Sequence, residues 1–172
     1  MEQITEQGNF DTSPEFFPIT PNKLIIMSIC TLGIYEIYWF YRNWKYLKIK
    51  KQLKISPFWR SIFSIIFCYS LFKHINNYAK EKGIEEHISQ GSLAFAYIII
   101  TLSIRLPDPY WIVSIIAFLP LLSVQKLINQ LNHFKLQIVI NNKYSGWNIF
   151  GIISGIIIWG LIILGILMPE NA

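Results

Sequence analysis

The sequence predicts an all-α protein, a polytopic transmembrane bundle of four to five short membrane helices that includes two repeated helical hairpins and amphipathic extensions. Three observations carry that expectation. Hydrophobic residues make up 53% of the 172 residues, charged residues only 15%, and the mean hydropathy is +0.40, which is more apolar surface than a chain of this length can hide from water. Trp147 to Met168 runs without a charge, and as a helix it would rise about 33 Å, the thickness of a bilayer core. Finally, a helical unit in the middle of the chain occurs twice.

Taken in order, residues 1–21 are acidic and carry several prolines, without the basic start of a secretory signal; they read as a disordered, retained tail. Residues 22–172 read as one transmembrane helical domain. Its first apolar run is Leu24 to Tyr41. Arg42 to Arg60 then holds seven basic residues and no acidic one, so the positive-inside rule places this loop in the cytoplasm. Further apolar runs lie at Phe58 to Phe72, Leu93 to Ile104 and Tyr110 to Val124. These three are short for independent crossing and need help from their flanks.

The repeat organises this middle region. Ser56-Pro57-Phe58-Trp59 followed by Ser64-Ile65-Ile66 reappears as Asp108-Pro109-Tyr110-Trp111 followed by Ser114-Ile115-Ile116. Each copy starts as a helix should, with a capping side chain and a proline in the first turn. Each ends alike, Lys73-His74-Ile75-Asn76 matching Lys126-Leu127-Ile128-Asn129. In the second copy Val124, Leu127, Ile128, Leu131, Phe134 and Ile138 share one side, with Gln125, Lys126, Asn129, Gln130 and Asn132 on the other, the pattern of a helix lying along a membrane surface. The hairpins span about 22–83 and 88–139, before a final helix over 147–168. The repeat favours five crossings, because equivalent helices should behave equivalently. The charges favour a second run that dips in and returns, which keeps nearly every basic residue on one side. Five crossings is the reading adopted from sequence.

Few residues carry chemistry. Glu36 lies inside the first apolar run, and its expected partner is Arg60, in an intramembrane ion pair across the first hairpin. Arg42, Lys45, Lys48, Lys50, Lys51 and Lys54 suit anionic lipid headgroups; all but Lys50 recur at every third residue and so wind around a helix, which argues against nucleic acid. Gly151, Ser154, Gly155 and Gly165 form a small-residue strip for close helix packing, within the chain or with a second copy or another membrane protein. Cys30 and Cys68 sit in apolar runs as packing residues. No metal-ligand spacing, phosphate loop or nucleophile motif is found, so no catalytic, cofactor or metal residue is assigned and no enzyme is expected.

The run Thr31-Leu32-Gly33-Ile34-Tyr35-Glu36-Ile37-Tyr38-Trp39 resembles the T-x-G-I-Y-x-I-Y-W hallmark of a bacterial membrane-protein family known as domain of unknown function 4234. The resemblance covers roughly Pro21 to Lys50. It implies a multi-pass protein of the bacterial cytoplasmic membrane and brings no activity with it. The function expected from sequence is a non-enzymatic scaffold or accessory subunit acting through helix and lipid contacts; the rival is a small transporter or channel using Glu36 and Arg60.

Overall fold

The computed structural model describes residues 14–136 and 140–167; expectations resting on residues 1–13, Ile138 and Met168 lie outside that range. Among the described residues the regular elements are helical, and the one strand-like feature is a bridge between Ile19 and Asn141. The helices are α1 (Pro21–Cys30), α2 (Ile34–Lys50), α3 (Pro57–Ile62), α4 (Ser64–Glu81), α5 (Gln90–Leu102), α6 (Phe118–Leu136) and α7 (Gly146–Leu167), with tighter 3-10 turns at Ser103–Arg105 and Tyr110–Ala117.

The first apolar run is two helices where the sequence predicts one. Pro21 and the Thr20 cap start α1, the Thr20 hydroxyl accepting from the Lys23 amide at 3.2 Å. Leu32 and Gly33 then take left-handed backbone angles, φ 50° and 86°, and the Gly33 amide closes on the Ser28 carbonyl at 2.9 Å. The Thr31 hydroxyl holds both sides of this turn, donating to the Met27 carbonyl at 2.7 Å and accepting from the Tyr35 amide at 2.9 Å. Ten residues of α1 therefore rise only about 15 Å before the chain turns.

The second apolar run is also broken, at Phe63, whose ψ of 40° departs from helical geometry. After the break α4 runs parallel to α2. Phe40 stacks on Phe72 at 6.2 Å, Trp44 meets His74 at 6.3 Å, and Lys51 pairs with Glu81 at 3.4 Å. Parallel neighbours need a connection that travels back along the helix, and residues 51–63 with α3 provide it. Its seat is Arg60, whose guanidinium lies 4.6 Å from the Trp44 ring and 4.8 Å from the Phe67 ring.

The second copy does not break. Phe118 keeps helical angles, φ −66° and ψ −20°, and joins the 3-10 turn to α6, so Tyr110–His133 is one run long and apolar enough to cross a bilayer. α5 starts beside the end of α4, where the Asn76 amide donates to Gln90 at 2.7 Å. α6 returns to the same end, where Gln130 bonds Glu86. This end gathers the exposed lysines 45, 48, 54, 80, 82, 126 and 143, while Arg105 and Asp108 occupy the other.

α7 is the other run long and apolar enough to cross, over Gly146–Gly165, and only 6% of that window is buried, against 50% for Tyr110–His133. It rests on α1 through its small residues. A Cβ at Gly155 would lie 1.9 Å from the Cys30 carbonyl oxygen, Gly151 faces Thr31 at 3.5 Å, and the Trp159 indole donates to the Ile29 carbonyl at 3.0 Å. Beyond that seam Gly160 and Gly165 face open space.

The core is lined by Trp39, Phe40, Trp44 and Leu47 of α2, Leu71, Phe72 and Ile75 of α4, and Leu121, Val124, Leu127 and Ile128 of α6. Polar residues are buried among them, with Asn43, Gln125 and Asn132 at 0% exposure, while Ile66 at 70% and Phe95 at 68% face outward.

Candidate functional site

Two polar sites are built into this core. The larger is a groove occupied by the chain itself. Glu15, Phe16, Phe17 and Ile19 are buried, in a stretch expected from sequence to belong to a disordered tail. Extended backbone inside a helical bundle has no ladder to pair with, so its amides and carbonyls must find side chains. Four amide residues supply them. The Asn132 carbonyl oxygen accepts from the Glu15 and Phe16 amides at 2.7 and 3.2 Å, and its nitrogen donates to the Phe16 carbonyl at 3.2 Å. Asn43 accepts from the Phe17 amide at 3.2 Å. Gln125 donates to the Phe17 and Ile19 carbonyls at 3.1 and 3.2 Å and accepts from the Trp39 indole at 2.6 Å. Asn129 donates to the Ile19 carbonyl at 2.9 Å.

A charged clasp closes the outer end of the groove. The Glu15 carboxylate pairs with Lys50 and accepts from the Tyr78 hydroxyl at 2.5 Å. Beside it, Arg42 sits among aromatic rings, 4.8 Å from Phe17, and donates to the Tyr38 and Tyr46 hydroxyls at 3.0 and 3.4 Å. Phe17 is thereby held from both sides, since it also packs edge-on against Tyr38 at 5.7 Å.

The smaller site is Glu36, in the first turn of α2 directly after the Gly33 turn. It is 3% exposed, and its Oε1 has no hydrogen-bond partner. Its polar neighbour is the Tyr97 hydroxyl of α5, which lies 3.2 Å from the Ser64 hydroxyl at the start of α4. Glu36 and Arg60 are not brought together. The salt bridges among the described residues are Lys50–Glu15 and Lys51–Glu81, and Arg60 is committed to Trp44 and Phe67. The group beside Glu36 is Tyr97 of α5, whereas Arg60, on α3 before the break at Phe63, is turned toward Trp44 and Phe67.

The other expected residues divide. Lys45, Lys48 and Lys54 are exposed, as headgroup contacts must be, whereas Arg42, Lys50 and Lys51 have the partners already named within the chain. Gly151 and Gly155 pack on α1, with Ser154 half-buried near them, and Gly165 packs on nothing among the described residues. The polar side of α6 is divided: Lys126 and Gln130 are exposed, whereas Gln125 and Asn132 are buried and point into the groove. Their spacing carried a signal. Residues 125, 129 and 132 fall at i, i+4 and i+7 on one helix stripe, and three neutral amides without a charge suit a buried seam better than a wet surface.

Against protein-family models, curated proteins and solved structures alike, the chain matches none.

Proposed function

We propose that the chain is an integral membrane protein that works as a non-enzymatic scaffold or accessory subunit, and that the carboxyl-terminal half of α7 is its docking helix. One observation carries the reading. Past Gly155, α7 exposes Ile156, Ile157, Leu161, Ile163 and Leu164 around its circumference and presents Gly160 and Gly165 without a partner among the described residues. A helix apolar on every side is stable in lipid, and small residues on it let a second helix approach closely. Large apolar side chains exposed on the outer faces of the bundle, such as Ile66 and Phe95, support the membrane setting.

In that setting the topology follows the charges. Gln90–Arg105, Tyr110–His133 and α7 cross, whereas α1 with α2 and α3 with α4 dip in from the basic side and return. All basic residues but Arg105 then lie at or near one face, which is the cytoplasmic one by the positive-inside rule. Exposed Lys45, Lys48 and Lys54 meet anionic headgroups there.

The test is crosslinking in native membranes from cysteines placed along α7. Position 161 or 164 is expected to give a defined crosslinked species, and Gly165→Leu to weaken it while the protein keeps its melting temperature. An isolated monomer at every position, in membranes and in mild detergent, would sink the scaffold reading. The rival, transport, loses its ion pair with Arg60 and retains only the Glu36 carboxyl.

A further inference from the structure

We propose that Glu36 is a proton-binding site at mid-depth in the membrane, its carboxyl taking up and releasing a proton beside the hydrogen-bonded hydroxyls of Tyr97 and Ser64. The proposal rests on the membrane setting argued above, but not on the scaffold role. Two breaks in helical structure converge on this point. Gly33, three residues before Glu36, ends the turn between α1 and α2, and Phe63, one residue before Ser64, separates α3 from α4. Tyr97 arrives from α5 and is 2% exposed.

What neutralises Glu36 decides what the site is. A carboxylate this buried is unstable without a counter-charge, and among the described residues no lysine, arginine or histidine interacts with it. The titratable groups that face the cluster from packed elements are Tyr97 on α5 and Cys68 on α4. A resident metal cation would need a shell of about six oxygens, and this cluster supplies the carboxyl and two hydroxyls from three helices. A proton needs one. On uptake, carboxylate and proton give the neutral acid, which burial tolerates far better than the charge at an oxygen that has no hydrogen-bond partner; on release the proton returns to water at the basic face, and the dipole of the neighbouring Tyr97 hydroxyl is what remains beside the charge.

Hydrophobic carbodiimides add to protonated carboxyl groups inside membranes and leave a covalent adduct that mass spectrometry locates on the peptide. Membranes holding the full chain are treated with dicyclohexylcarbodiimide across a pH series, with and without sodium or lithium. The expected result is an adduct on Glu36 that increases as pH falls, with one midpoint, is indifferent to both metal ions, and drops to background in Glu36→Gln. Tyr97→Phe is expected to raise that midpoint, since the carboxylate loses the one polar hydroxyl beside it. No adduct on Glu36 at any pH, or labelling that ignores pH, overturns the proposal; protection by sodium or lithium overturns it in favour of a metal cation. A water-soluble carbodiimide separates the two layers of the argument. If it labels Glu36 as fast as the hydrophobic reagent, or if the protein is recovered outside the membrane fraction, the membrane setting itself has failed.

Discussion

The two copies of the repeat share a sequence pattern and differ in what they build. The first, from Ser56, breaks at Phe63 into α3 and α4; the second, from Asp108, passes from a 3-10 turn into α6 without a break. Two residues separate them. Ser64 stands five positions after Trp59, whereas Ser114 stands three after Trp111, and two extra residues rotate the downstream helix face by about 200°. The first copy also carries Arg60, which grips Trp44 and Phe67 and lays α3 back along α2. Equivalent sequence therefore does not ensure equivalent path.

The copies agree at their polar ends. Asn76 and Asn129 hold the same place in the pattern, and each binds the extended segment that leads into a helix. Asn76 accepts from the Ile88 amide at 3.3 Å before α5, and Asn129 donates to the Ile19 carbonyl at 2.9 Å before α1. Four residues earlier they diverge, with Phe72 stacking on Phe40 and Gln125 binding Trp39, Phe17 and Ile19.

That divergence sets the largest expected effect. Gln125→Leu, which makes the second copy resemble the first, orphans the Trp39 indole and weakens the pairing of two buried carbonyls, at about 1–3 kcal/mol for each group left unsatisfied. We expect a lowered melting temperature in detergent and rapid proteolysis between residues 14 and 20. Asn132→Asp comes next. It keeps the acceptor for the Glu15 and Phe16 amides but turns the donor to the Phe16 carbonyl into a second acceptor and buries a carboxylate near Glu15, so thermal unfolding should show a loss at neutral pH that shrinks as the medium is acidified.

Arg60→Ala tests the first copy. It forfeits two cation–π contacts of about 0.5–2 kcal/mol each, and hydrogen exchange is expected to quicken in α3 and leave α6 unchanged. The smallest effect belongs to His74. Burial, and then the charges of Lys51, Arg60 and Lys73, hold its imidazole below the usual range. The unfolded chain thus binds that proton more readily than the folded one. The stability His74 contributes is present above about pH 6.5 and declines as pH falls below it; His74→Gln should flatten the acid side of a melting-temperature profile.

Much of this was legible in the sequence. The helical class, the uncharged α7 and the packing role of Gly151 and Gly155 come from composition and small-residue spacing. Two things were not. Breaks at Leu32–Gly33 and Phe63 interrupt runs whose hydropathy is continuous, because hydropathy records burial and not backbone angle. The groove was hidden because Asn43, Gln125 and Asn132 look like surface residues until their partner is known. That partner is a tail segment whose acidic, proline-bearing composition resembles disorder, although Phe16, Phe17 and Ile19 within it are apolar anchors.

Single cysteines at Lys82, Asp108 and Lys143, with Cys30 and Cys68 replaced by alanine, probe the central claim when an impermeant thiol reagent is applied to intact cells. Dipping α3 and α4 with a crossing α5–α6 hairpin puts Lys82 and Lys143 on the cytoplasmic side, so those positions stay unlabelled and Asp108 reacts. Labelling at Lys82 and Lys143 with Asp108 protected would mean that the second apolar run crosses, and it would contradict the parallel arrangement of α2 and α4.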